Sequence, residues 1–253
     1  FVTGDLGKSF ETDTEVTSIL ADLVPVTAMI SIFTILLTWA VAIPFGIAAA
    51  VKRNTIWDYS LTFIGLTAMA TPAFIIALVF QVIMQAFWPQ FDPTGLISQQ
   101  YVNEPWSAAK VFDLIKHLWV PVVILGVAGT AGMIRILRAN VIDELKKQYV
   151  LCARARGVHP VKVILKYPVR VAINPFVSNV GLILPQIISG SMIISIVLGL
   201  PTLGPRVLEA LMSQDTYLAA SAVFLQCVLA VVGILISDIL LAVVDPRIKF
   251  GGR

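Results

Sequence analysis

The chain has 253 residues, 58% of them hydrophobic and only 13% charged, with a formal net charge of +3. Ordinary soluble domains are about 45–50% apolar and about 25% charged, and a single core of this size cannot hide so much apolar surface. A soluble globular domain is therefore excluded, and the small positive balance, carried in loops between apolar blocks, gives no footing for nucleic acid.

Crossing a bilayer takes about 20 mostly apolar residues, and five segments satisfy this in chain order. The first covers 24–51 and has no charge. The second, 59–87, is also uncharged and holds Pro72. The stretch after it, 88–116, is rich in turn residues and aromatics, among them Trp88, Pro89, Pro93, Gly95, Pro105 and Trp106. Within it, 107–117 places Val111, Phe112, Leu114 and Ile115, with Leu118, largely on one helical face. That pattern predicts a short interfacial helix with Trp106 and Trp119 at headgroup level, and a loop helix packed on the bundle fits it too. The third span, 118–134, is shorter and meets Arg135 at its end.

The stretch 135–170 follows, and it begins with an amphipathic helix extending the third span. Small residues come next at Cys152, Ala153 and Ala155, and Gly157 is placed to stop the helix in a left-handed cap. His159 and Pro160 then open a second short helix carrying Val161, Ile164 and Leu165 beside Lys162 and Lys166. Such an elbow suits docking in a groove of another protein; a basic loop that fixes orientation against anionic lipid is the alternative, and the residues alone leave both open. The fourth span, 173–198, contains Pro175 and Pro185, and the loop 199–217 is rich in turn residues before it becomes helical. The fifth span, 217–244, holds one acid, Asp238. Internal prolines are tolerable in lipid because neighbouring helices satisfy the freed carbonyls.

Fourteen of the eighteen lysines and arginines fall on one side of this arrangement, which makes that side cytoplasmic and puts the C-terminus there. An outside N-terminus requires a cleaved signal peptide or an earlier helix. Phe1 begins no signal-like run, so an upstream helix is expected.

Several tempting sites fail on spacing. Cys152 and Cys227 form no CxxC pattern, and His117 and His159 lie on opposite sides, so neither a disulfide framework nor a metal site is expected. Gly7-Lys8-Ser9 ends like a phosphate-binding loop, but Val2 stands where that loop needs glycine. Asp238 lies near the cytoplasmic end of its span, where a local hydrogen bond or pairing with Arg135 or Arg138 would satisfy it. Gln81, Gln85, Asn179, Gln186, Ser189, Ser191 and Gln226 are candidates to line a path, and interhelical hydrogen bonds use the same residue types.

The elbow resembles the Glu-Ala-Ala loop of binding-protein-dependent ABC importers in the oligopeptide and dipeptide permease family. Leu151, Cys152 and Ala153 stand at the three named positions and Gly157 at the glycine, so the glutamate and first alanine are absent. Tyr149, Val150, Ala153, Arg154, Ala155, Arg156 and Gly157 match the peptide branch. Gly4-Asp5-Leu6-Gly7-Lys8-Ser9, Asn174-Pro175, Gly199-Leu200-Pro201-Thr202-Leu203-Gly204 and Asp245-Pro246-Arg247-Ile248 are similar to other segments of that family, in order.

The resemblance implies an all-α polytopic bundle of the type I importer fold. The whole chain, 1–253, would be one permease domain with a coupling loop at 135–170 and extracytoplasmic loops at 1–23, 88–117 and 199–216. It implies that Tyr149, Cys152, Ala153, Arg154, Ala155, Arg156, Gly157, Val158, His159 and Pro160 dock on an ATPase. Gly199, Leu200, Pro201, Thr202, Gly204, Gln214 and Asp215 would face a binding protein and the gate. Gln81, Asn179, Gln186, Ser189 and Ser191 would line the path. The implied partners are a homologous second permease, two ATPases that bind ATP and Mg, an extracytoplasmic solute-binding protein and the lipid of a prokaryotic inner membrane. The chain itself would be non-catalytic and hold no cofactor or metal. Its cargo would be peptides, or an oligosaccharide or nickel complex as in other members. A secondary transporter or channel working without an ATPase is the rival reading. It calls for a charged relay or paired repeats, and only Asp238 offers such a group.

Overall fold

The structure, a computed structural model, describes residues 5–102, 104–178 and 191–244. Every regular element among them is a helix, and the one β contact is an isolated bridge between Lys8 and Glu15. Helix α1 is Val16–Val51, α2 Ile56–Ala70, α3 Ala73–Phe87, α4 Ala108–Glu144, α5 Gln148–Ala155 and α6 Pro160–Lys166. Then come α7 (Pro168–Ala172), α8 (Asn174–Ser178), α9 (Met192–Val197), α10 (Leu203–Met212) and α11 (Thr216–Val244). Helices α1, α4 and α11 are each long and apolar enough to cross a membrane, and α2 with α3 makes a fourth, broken, candidate.

Three expectations are corrected. The first helix begins at Val16, not near 24, because Val16 and Leu20 are buried with Leu203, Val207, Leu218 and Ala222 while Asp22 stays exposed. The second apolar stretch is not one helix: it breaks after Ala70, and α2 and α3 are bent by 102°. Pro72 is the cause, since it disfavours helical geometry at Thr71 and lacks an N–H. Its carbonyl instead accepts the Ile75 N–H at 2.9 Å and starts α3. The expected interfacial helix is not separate, because α4 runs unbroken from Ala108 to Glu144 with Pro121 inside. No turn residue divides 107–117 from the buried run at Leu118, Val120, Val122 and Ile124. The middle of the fourth stretch, 179–190 with Pro185, lies outside the described residues.

The chain divides into two compact units. One combines Phe1–Leu37, Thr71–Gly126 and Leu184–Ala230. Its larger core gathers Ile30, Ala77, Leu118, Ile124, Ile194 and Leu198, and its smaller one joins the start of α1 to α10 and α11. The other unit combines Thr38–Ala70, Val127–Ile183 and Val231–Arg253. Its core packs Ala42 and Ala50 of α1 against Leu137 and Val141 of α4 and Phe176 of α8. A satellite of Val150, Ala153 and Val163 sits under the elbow, and Leu145 packs on both clusters. Phe63, Val82 and Val231 lie on exposed helix faces, the arrangement expected where the surrounding solvent is hydrocarbon.

Candidate functional site

The elbow is built by two local stop-and-start signals. At the end of α5, Gly157 adopts φ +71° and its N–H donates to Arg154 O at 3.0 Å, while the Val158 N–H donates to Ala153 O at 3.3 Å. These two bonds form a complete left-handed cap. His159 then turns extended, and Pro160 enters as the first residue of α6, where its missing N–H costs nothing. The two helices close over Val150, Ala153 and Val163, with Val158 and Tyr167 packed alongside. Tyr149 lies 6.3 Å from the Tyr167 ring and donates its hydroxyl hydrogen to Glu144, the last residue of α4.

Of the residues the sequence places in this site, Tyr149, Cys152, Arg154, Ala155, Arg156, Gly157, His159 and Pro160 are exposed. Val158 is half-buried, and Ala153 faces inward into the elbow's own core. Leu151, Val161 and Leu165 are exposed beside them, which gives the elbow an apolar and cationic outer face.

Behind the elbow stands a pair that the sequence reading missed. Arg138 of α4 donates from Nε and Nη2 to the two carboxylate oxygens of Asp58 at 2.5 and 2.7 Å. Asp58 also accepts the Asn54 N–H at 3.0 Å and is buried. Of the partners the sequence left open for Asp238, a local hydrogen bond, Arg135 or Arg138, the last is committed to Asp58, and Asp238 is exposed. Asp58 lies one residue before the apolar stretch recognised by composition, so a count of charges within spans passes over it.

In the other unit, Gly199 repeats the left-handed cap at the end of α9. Its φ is +61°, its N–H donates to Ile196 O at 3.2 Å, and the Leu200 N–H donates to Ser195 O at 2.8 Å. The Leu198 carbonyl accepts the Gly95 N–H at 2.7 Å, and Thr27 Oγ1 accepts the Leu203 N–H at 2.9 Å. Gly199, Pro201 and Gln214 are exposed, whereas Leu200, Thr202 and Gly204 are buried. A cavity of about 850 Å³ opens beside Gly199 and Pro201, walled by Gly95, Ile97, Gln99 and Lys116. The loop forming this wall is tied to α4. Asp113 accepts from Ser98 N and Oγ at 2.6 and 2.7 Å, and Lys110 Nζ donates to Glu104 O at 2.7 Å.

Asp215 is fully buried, so its carboxylate is directed inward and not towards solvent. It caps α11 by accepting the Leu218 N–H at 3.1 Å and binds the Ser9 hydroxyl. Burial alone pulls its carboxyl upward, but the Ser9 hydroxyl and the N–H groups of Leu218, Phe10 and Glu11 outweigh it and hold the group below its ordinary 3.8. Gln81 donates to Val197 O at 2.9 Å, and Ser191 is buried. Asn179, Gln186 and Ser189 lie outside the described residues.

A family model for the binding-protein-dependent transport system inner membrane component matches residues 42–250. The oligopeptide transport system permease protein AppB of Bacillus subtilis is 32% identical over 250 residues, covering 98% of this chain and 77% of the relative. The oligopeptide transport system permease protein OppB of Salmonella typhimurium is 30% identical over 98% of this chain and 76% of its own. The inner membrane ABC transporter permease protein YejB of Escherichia coli O157:H7 is 28% identical over 100% of this chain and 70% of its own.

Proposed function

The chain belongs to the family of binding-protein-dependent transport system inner membrane components, and from that premise we propose that it is one permease half of an ATP-driven importer of oligopeptides. It is a multi-pass inner-membrane protein and a transport component, with the chemistry of ATP and Mg left to separate ATPase subunits. We propose five crossings: α1, the broken pair α2 and α3, α4 and α11, with the sequence's apolar stretch 173–198 as the fifth. The C-terminus and the basic elbow then face the cytoplasm. A second permease completes the path, and an extracytoplasmic binding protein delivers cargo to the side of Gly199 and Pro201. Peptide is the cargo favoured by the relatives' names; the oligosaccharides and nickel complexes carried elsewhere in the family are the alternatives for a ligand screen.

One observation carries this reading: the elbow folds on a core of its own and presents Cys152, Arg154, Ala155, Arg156, Gly157 and His159 outward. Small residues let a partner's backbone approach closely, and the cations offer pairs to its acids. Leu145 joins the elbow's core to the core of α1 and α4, so a push on the elbow is delivered to the membrane helices through packed side chains and not through a slack loop. Closing of the ATPases on ATP would thereby drive alternating access. Replacing Gly157→Val in the whole importer is expected to leave ATP hydrolysis running while peptide uptake falls about tenfold, within the range of one broken coupling contact. Full substrate-dependent uptake in that variant would sink the coupling role.

A further inference from the structure

Helix α2 is held to the rest of its unit in an unusual way. Its one buried residue is the acid Asp58. Ile56, Trp57, Tyr59, Phe63 and Ile64 are all exposed, so the apolar side chains that normally fix a helix are directed elsewhere. Along its seam with α4 there is room beside Gly65: an added Cβ would sit 3.7 Å from the Ala131 Cβ, at ordinary contact distance. A cavity of about 120 Å³ lies in the same seam, lined by Leu61, Thr62, Gly65, Ala131 and Ile134. Against this thin packing, the Asp58–Arg138 fork has two parallel bonds and a third to Asn54 N–H. The turn entering α2 is closed locally, with Asn54 at φ +61° and Thr55 Oγ1 donating to Lys52 O at 2.6 Å.

Asp58 is buried and Arg138 half-buried, so desolvation offsets much of their attraction and the pair is weak evidence for stability; the better-attested role of such a pair is fixing register between elements. A bidentate fork fixes both distance and rotation. Arg138 lies on α4 about two turns before the elbow. We propose that Asp58 and Arg138 form a positioning pair that makes α2 follow α4 when the ATPases move the elbow. The pair carries the stroke into a helix that packing alone would let slip. This rests on the reading that the elbow docks on an ATPase.

The test uses the whole importer in proteoliposomes with trialanine as cargo, measuring peptide imported per ATP hydrolysed. A photo-crosslinker on the exposed Cys152, with Cys227→Ser, reports docking independently. Asp58→Asn is expected to keep the crosslink and ATP hydrolysis but lower uptake per ATP about tenfold, within the span over which residues along a coupling path act. The reversal Asp58→Arg with Arg138→Asp is expected to restore most of that ratio, which a merely structural defect would not do. Should Asp58→Asn fail to assemble, Arg138→Lys keeps the charge, loses the fork and decides on the same ratio. An unchanged ratio in a variant that still crosslinks overturns the pair's role alone. Absence of the crosslink in the otherwise native importer overturns the docking reading, and this inference with it.

Discussion

Gly157 and Gly199 adopt the same backbone conformation at two helix ends, φ +71° and +61°, because each closes a cap that only the left-handed region allows. At Gly157 a Cβ would meet nothing within 4 Å, so a substitution there costs only backbone strain, roughly 1–2 kcal/mol. Gly7 is constrained differently: at φ +76°, a Cβ would lie 2.7 Å from Tyr217 Cδ1. That close approach seats the 5–15 segment on the start of α11, where Phe10 also packs on Tyr217 at 5.1 Å and Ser9 reaches Asp215. Because the Asp215 pKa is lowered by folding, its stabilisation is fully present above about pH 4 and is lost as pH falls through the still lower folded value. Asp215→Asn should reproduce the loss at neutral pH, loosening the segment by about 1.5–3 kcal/mol, the usual worth of bonds to a charged group. Hydrogen exchange at Ser9 and Asp13 reads this directly, and unchanged protection there would refute it. The glycine stops were legible in the sequence because they are local. The Ser9–Asp215 bond was not, since 206 positions separate its partners and no pattern pairs them.

At the scale of elements, composition located the apolar stretches, and packing decided where helices begin and end. The start of α1 was extended by burial of Val16 and Leu20, a gain visible only once α10 and α11 lie against it. The sequence reads Pro72 as a tolerable proline within one span, and the 102° bend shows a break there instead. Helices α1 and α4 approach closely at Gly46, where a Cβ would lie 3.0 Å from Leu137 Cβ and 3.2 Å from the Ile134 carbonyl. Gly46→Val should therefore force the helices apart and destabilise the protein by about 1–3 kcal/mol. Adding Leu137→Ala removes the Leu137 Cδ2, also 3.0 Å from that Cβ, and should recover part of the loss, although Leu137→Ala alone removes a fully buried side chain and is itself destabilising. Thermal unfolding in detergent of both single variants and the double variant gives the coupling, and simple additivity would show that the two sites do not touch.

For the whole molecule, Trp119 lies within α4, while the other three of the four exposed tryptophans lie at helix ends: Trp57 at the start of α2, Trp88 just after α3 and Trp106 just before α4. That is where an aromatic belt places them, at the boundary of hydrocarbon and headgroup. In single-tryptophan variants, lipids brominated near the headgroup should quench Trp57 and Trp88 more than lipids brominated deep in the chain. Deeper quenching of either would move that helix end into the hydrocarbon and contradict the crossings assigned here.

Taken alone, the sequence determined that lipid is the solvent, that the structure is helical, and that an elbow stops at Gly157 and restarts at Pro160. Each of these follows from residues contiguous in the chain, through apolar length, backbone freedom and a missing N–H. Only the tertiary structure decided that Ala153 faces inward, that Asp58 holds Arg138 and that Asp215 is buried on Ser9. Those outcomes depend on which distant side chains share a volume that excludes water, and a buried charge takes whichever partner the packing brings within reach.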